Sequence, residues 1–474
     1  MSSQLIDHFA LLPLYLAAGT AVLALLTDLF VARRAAVLAV TVLGTFATAA
    51  GALSVGAETG TFCTPHNVCS WVPTWPAAVA AVLFAGLTAG VLAFSAPALR
   101  RGIAPAGEFC FLLACSMTGG VVVGYSGDLI TLIVGLETLT LPLYVLVGLR
   151  RFAPGEPVRT ESASAAVTFF LISVVSTAIA LLGAALTYAA TGAVHLDLLG
   201  APAPAAFEPL AGVGAALLVI GLAFKVAAVP LHAWAPATYD GAPVPVAAYL
   251  STASKLGGVL ALAAVVSRLD TAAVVAVLAV LTMTVGNLVA LRQSRMVRLL
   301  AWSSVAQAGY ILAALALGAD GVVAALAYAA FFVVLELIAF GVVVALRPTG
   351  ADGGEIADYR GAGRRHPWLG AALVLALAGL AGLPPGLAGL FAKLSVVEAL
   401  VRENWTWLAG VVLLNAVIAL AYYVRVGAAF YVVPVPAGPA PRSVARPVAL
   451  ALIGAVAVAV LLGFAPQLLF SGLS

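Results

Sequence analysis

Residues 224–255 read FKVAAVPLHAWAPATYDGAPVPVAAYLSTASK. A lysine is its second residue, a lysine is its last, and Pro230 and Pro236 lie between them. The first lysine sits near the middle of an apolar stretch, 209–240, that is too long for a simple membrane span and is interrupted by both prolines. Proline inside a helix removes a hydrogen bond and clashes with the preceding turn. The stretch therefore reads as one discontinuous helix. Broken helices at membrane depth are tolerated where protein or water satisfies the freed backbone, as in transport sites.

Working outward, the 474-residue chain is 64% hydrophobic and 9% charged, which excludes a soluble protein. A span needs about 20 apolar residues. That rule predicts fourteen, at 9–31, 35–57, 76–97, 108–126, 128–149, 163–190, 209–240, 243–266, 271–291, 298–318, 321–346, 367–400, 405–432 and 446–470. The fold class is thus an all-α polytopic membrane protein, a single membrane domain over 1–474. The first span lacks a basic region before it and precedes Arg33 and Arg34, the pattern of a retained anchor. Span twelve repeats the break of span seven, with Pro384 and Pro385 inside it. The two breaks lie five spans apart, so the broken helices cross in opposite directions. This is the mark of inverted repeats, here 107–266 and 271–432, flanked by helices at 9–97 and 446–470.

Of the 22 basic residues three are lysines, Lys225, Lys255 and Lys393, and all three lie in apolar stretches. Arginine keeps its charge, whereas a desolvated lysine can release its proton. Coding bias explains the arginines and leaves the lysines needing a reason. Intramembrane ionisable groups mark functional sites by default. Loops after odd-numbered spans carry sixteen arginines, including Arg150, Arg151, Arg159 and Arg442, against Arg268 and Arg402 after even ones. The positive-inside rule then places both termini outside the cytoplasm of a bacterial-type plasma membrane. The net charge of +3 is this topology signal, with no nucleic-acid patch.

The remaining intramembrane charges are Glu137, Glu336 and Arg425. A buried ion pair of Glu137 with Lys225 would hold a proton with a strength set by distance. Lys255 would offer a second proton site, and Lys393 follows the second break. The alternative is a fixed salt bridge between helices; a snorkelling Lys255 is disfavoured by about twelve residues of helix on each side. Glu336 must be protonated, paired or beside water. Lys393 and then Arg425 are its candidate partners, against a protonated acid bonded to a backbone carbonyl. The stripes Ser173, Ser176, Thr177; Thr284, Asn287; and Ser303, Ser304, Gln307 are either packing glue or the walls of a water file. Cys110 and Cys115 read as packing residues. Cys63 and Cys69 fall outside, where a disulfide is compatible; with His66 alone between them they make a poor metal site.

At these residues the chain resembles the antiporter-like subunits of proton-pumping NADH:quinone oxidoreductase (complex I), on the N-type branch. The resemblance rests on 224–255 and on GLETLTLPLYVLVGL around Glu137, RQSRMVRLLAWSSVAQAGY at 292–310, DYRGAGRRHPWL at 358–369, LAGLPPGLAGLFAK ending at Lys393, and AYYVRV around Arg425. It implies a proton relay of Glu137, Lys225, Lys255 and Lys393, with His232, Glu336 and Arg425 as further candidates. It also implies no cofactor or metal in this chain, flavin, iron–sulfur clusters and quinone in partner subunits, and other membrane subunits of one complex as partners. A subunit of a cation/proton antiporter or membrane-bound hydrogenase, or a non-pumping structural subunit, are the alternatives. The chain departs from the pattern at Thr168 and Gln307, where a lysine and a histidine are frequent, at Ala237, where an acid is frequent, and at Glu336, where none is expected.

Overall fold

A computed structural model describes residues 6–65, 67–149, 160–432 and 443–473. His66, Arg150, Arg151, Arg159 and Arg442 lie outside the described residues. The chain is almost wholly helical: α1 Leu12–Val31, α2 Arg34–Val55, α3 Trp75–Arg100, α4 Ala106–Tyr125, α5 Leu129–Gly148, α6 Thr160–Thr191, α7 Glu208–Ala223, α8 Trp234–Gly241, α9 Val244–Tyr249, α10 Lys255–Val266, α11 Ala272–Ala290, α12 Met296–Leu315, α13 Val322–Leu346, α14 Ala362–Arg365, α15 Pro367–Ala381, α16 Leu387–Arg402, α17 Thr406–Tyr431, α18 Arg446–Phe464 and α19 Gln467–Leu473. One hairpin, β1 Thr61–Cys63 with β2 Cys69–Trp71, completes the described elements. Among the described residues, twelve segments are individually long and apolar enough to cross a membrane. The more polar α12 and the interrupted pair α15–α16 supply two further spans, which gives the fourteen expected.

Both breaks fall at the predicted prolines, and both are chemically closed. In the first, Val229 N–H donates to Thr282 Oγ1 at 2.9 Å, and the Phe224 carbonyl accepts from the Trp234 indole at 3.3 Å. In the second, Gly382 takes φ +82°, a conformation open to glycine at little cost. The Leu380 carbonyl freed there accepts from Lys393 Nζ at 2.7 Å and Gln307 Nε2 at 2.9 Å. A third irregularity was not predicted. Leu250–Ser254 winds as one turn of the wider π form between α9 and α10, so Lys255 follows directly on a bulge of the kind that often accompanies function.

Segments 244–266 and 318–346 are the most enclosed, 89% and 83% buried, and they place Lys255 and Glu336 at the centre of the bundle. By contrast α6 and α18, 28% buried each, turn apolar faces outward, including Val167, Leu171, Val175, Leu450 and Ile453. Those faces suit lipid or neighbouring subunits.

The two ends of the bundle are tied differently. Loops after even-numbered spans are laced by backbone: Gly127 N–H to Ser70 O at 2.8 Å, Leu129 N–H to Val194 O at 2.9 Å, and Leu196 N–H to Gly127 O at 2.9 Å. Trp71 stacks on Tyr125 and donates to the Ala10 carbonyl, and Arg268 pairs with Asp197 at 3.0 Å. Loops after odd-numbered spans are tied by charge. Arg295 binds Asp240 at 2.8 Å and Asp352 at 3.2 Å, while Arg347 binds Asp352 at 3.1 Å and Asp358 at 2.9 Å. Burial alone would raise the Asp352 carboxyl. The hydrogen bond and charge of Arg295, then Arg347, outweigh it and hold Asp352 below the ordinary carboxylate value. Because the folded value is lowered, its stabilisation is full at neutral pH and is lost as the pH falls through that value. Asp352→Asn should destabilise the folded chain by about 1 kcal/mol at pH 7, a modest figure because solvent reaches the pair. The deficit should shrink on acidification, as thermal unfolding of the purified complex at two pH values would reveal.

Cys63 and Cys69 are joined by a disulfide that closes the hairpin, and Cys110 is buried. An impermeant thiol reagent on intact cells should label neither Cys63 nor Cys69 until a reductant is added. Labelling without reduction would rule out the bridge.

Candidate functional site

Two polar centres occupy the enclosed interior, one at each broken helix. The first is held by α5, α6 and the end of α7. The helix ends after Ala223, so Lys225 leaves the break on a chain that can no longer continue straight. Its Nζ reaches Glu137 Oε1 of α5 at 2.7 Å, Thr140 Oγ1 at 3.1 Å and Ser173 Oγ at 3.3 Å. Thr177 of α6 donates to the same Glu137 oxygen at 2.7 Å. Lys225 is 4% exposed and Glu137 25%. One partner is thus sealed inside, and the other touches the boundary on the α5 face that also shows Val134 and Leu141. The α6 stripe therefore builds the pair's cage through Ser173 and Thr177, the role left open between packing glue and water wall. Thr168 makes no hydrogen bond to this pair.

The second centre gathers Lys255, Glu336 and Lys393. Lys255, 2% exposed, donates to the Ser304 carbonyl. Ser251 Oγ, in the wide turn, donates to Glu336 Oε1 at 2.8 Å and lies 3.2 Å from the Ser304 hydroxyl. Lys393 lies against the Leu380 carbonyl and over the Tyr310 ring, 5.0 Å from its centroid. From Lys393 a series of direct contacts leads back to α12. Gln307 joins Leu380 O to Tyr423 Oη at 2.9 Å, accepts from Tyr328 Oη, and Tyr423 meets Ser303. The α12 stripe thus gives Ser304 to the Lys255 contact, and Gln307 and Ser303 to the contacts that start at Lys393. The α11 stripe adds to them, with Asn287 bonded to Tyr310, Tyr422 and Asn415.

Two expected pairings are corrected. Glu336 makes no ion pair with Lys393 or Arg425 among the described residues; its contact is Ser251. Lys393 is instead drawn to the carbonyl freed by its own helix break. Arg425 holds the end of α11, donating to Leu291 O at 2.6 Å and Gln293 O at 2.8 Å. An arginine there satisfies terminal carbonyls and complements the helix dipole. His232 sits half-buried in the first break, Nδ1 3.2 Å from Pro230 O and its ring 5.2 Å from that of Trp302; neither contact reaches Lys225 or Lys255.

The residues missed by sequence reading are Ser251, Tyr239, Tyr328, Tyr423 and Asn415. Ser251 had a legible signal, since it lies one helical turn before Lys255 and so on the same face. The tyrosines had none, because a tyrosine in an apolar helix reads as core.

Comparison places this geometry among known proteins. A family described as NADH:quinone oxidoreductase/Mrp antiporter, transmembrane, matches residues 126–419, which contain all three lysines and both buried glutamates. NADH-quinone oxidoreductase subunit N of Salinispora tropica is 58% identical over 98% of each chain. Subunit N 2 of Streptomyces griseus is 42% identical over 89% of this chain and 82% of its own. A chain of respiratory complex I from Thermus thermophilus superposes with TM-score 0.82 at 29% identity, covering 98% of this chain and 99% of that one. A chain of an archaeal membrane-bound sulfane sulfur reductase reaches 0.86 at 22% identity over 98% and 96%, which shows a shared fold.

Proposed function

Since the chain belongs to the NADH:quinone oxidoreductase/Mrp antiporter transmembrane family, as an N-type member, we propose that it moves protons across the membrane through a buried relay of Glu137, Lys225, Lys255 and Lys393. It is a membrane subunit of a proton-translocating NADH:quinone oxidoreductase. The relay is driven by quinone reduction elsewhere in the complex, with flavin, iron–sulfur clusters and quinone held by partner subunits. One observation carries the relay: the 2.7 Å contact of Lys225 with Glu137 beside a helix break. A paired lysine ammonium is stabilised by the carboxylate, whereas a separated one in a desolvated cage is costly and gives up its proton. The break supplies backbone that can shift, so a small displacement alters the distance that sets proton affinity. Lys255 and Lys393, buried in the same bundle, would take up the charge in turn.

The inverted repeats 107–266 and 271–432 fit this scheme, with one broken helix in each. The arginine-rich end, bound together by Arg295 and Arg347, would face the cytoplasm and both termini the outside of a bacterial plasma membrane. Detergent extraction followed by mass spectrometry tests the assignment. The chain should be recovered with the other membrane subunits of the oxidoreductase. Recovery as a lone, active carrier would overturn it.

A further inference from the structure

Glu336 is wholly buried, yet one of its carboxyl oxygens, Oε2, has no hydrogen-bond partner. Buried carboxyl oxygens are rarely left so, and each exception calls for a reason. The Tyr239 hydroxyl, also fully buried, is a second such atom, with the Ser304 and Ser251 hydroxyls beside it. Tyr239 lies on α8, packed with its ring edge toward Phe340, one turn beyond Glu336 on α13. Two unsatisfied polar atoms from different helices therefore converge on the spot where Ser251 already binds Glu336 Oε1. The titratable groups facing that spot are Lys255 from α10, Tyr239 from α8 and Tyr423 from α17. The next residue after Tyr239 is Asp240, clamped by Arg295 at the arginine-rich end. Tyr239 thus stands between that end of the bundle and the carboxyl.

We propose that Glu336 is a proton-loading site for Lys255, supplied past Tyr239 from the arginine-rich end, with Ser251 and Ser304 holding the acid and the lysine in the same pocket. This rests on the relay proposed above and adds a donor to it. In the loading step the Glu336 carboxylate takes a proton from water on the arginine-rich side and becomes a neutral acid. In the transfer step the O–H bond of that acid breaks, an N–H bond forms on neutral Lys255, and carboxylate and ammonium result. The charge of the pair as a whole is unchanged by the transfer, so a fully enclosed site can support it. The free oxygen Oε2 is the atom to be protonated, because Oε1 is occupied by the Ser251 hydroxyl.

The inference differs from a structural role in a way that can be measured. Glu336→Gln, in the intact complex reconstituted in liposomes, should lower pumping by about a hundredfold, the lower end of what a positioned proton donor contributes. The redox-induced infrared difference spectrum of the wild type should contain a protonated-carboxyl band that this variant lacks. Lys255→Met should lose as much, and the double variant no more than either alone. Tyr239→Phe removes one hydroxyl and keeps the packed ring, so it should fold normally and still slow pumping several-fold. Full pumping in Tyr239→Phe together with an unchanged carboxyl band in Glu336→Gln would overturn the proposal, as would additive losses with Lys255→Met. Should Lys225→Ala be inactive while Glu336→Gln pumps normally, the relay stands and only the loading site falls.

Discussion

Replacing Lys225 by alanine should abolish proton pumping while the subunit still assembles. Proteoliposomes containing the variant complex should oxidise NADH slowly and build no proton gradient. Removing one partner of a buried pair destabilises by about 3–5 kcal/mol when the other charge is stranded. Here Thr177 remains as a hydrogen-bond donor to Glu137, so the loss falls at the lower end. Lys225→Arg separates charge from proton exchange. It restores a cation opposite Glu137, but a guanidinium does not release its proton in a protein, so pumping should remain absent. A normal gradient from either variant would refute the assignment of Lys225 as the coupling switch.

The second large effect is on folding. At Gly389 an added Cβ would overlap the Gly379 carbonyl oxygen, which is backbone and cannot swing aside. The half-helices α15 and α16 meet there main chain to main chain, with Gly386 in similar contact one turn earlier. Gly389→Ala should force them apart at a penalty of at least about 3 kcal/mol. It would also withdraw the Leu380 carbonyl from Lys393. Immunodetection in membranes should find little of this subunit and little assembled complex. Gly410→Ala is the matched control, with nothing within 4 Å of its new methyl group, and should accumulate normally.

Much of this architecture was legible before any coordinates. Hydropathy counted the spans, and the prolines located both breaks, because these signals are local. The Glu137–Lys225 pair was legible too, since a mid-span acid and a mid-span lysine have few places to go. Glu336 was not placed correctly. Its proximity in sequence to Lys393 suggested a partner that packing does not supply, and the serine that binds it lies 85 residues away. Arg425 misled for a different reason. Its position within a predicted span hid the fact that the end of α11 lies beside it and draws the guanidinium to three carbonyls. Gln307, which replaces a frequent histidine, proved neither idle nor titratable. It locks Leu380 O, Tyr423 and Tyr328 together, so the contacts leading away from Lys393 pass through an amide.

The helix that bears Lys255 is anchored at both extremities by ion pairs of opposite construction. Just before it, Asp240 is fastened to Arg295; just after it, Arg268 is fastened to Asp197. A rod pinned at two ends cannot slide along its axis or tilt as a unit without tearing one fastening. Any strain reaching it from neighbouring helices must be absorbed within its length. Its one compliant stretch is the wide turn at Leu250–Ser254, where an extra residue is already accommodated and can migrate along the helix as a dislocation migrates through a crystal. Moving that dislocation by one residue would rotate Ser251 and Lys255 relative to Ser304 while both ends of the rod stay where they are.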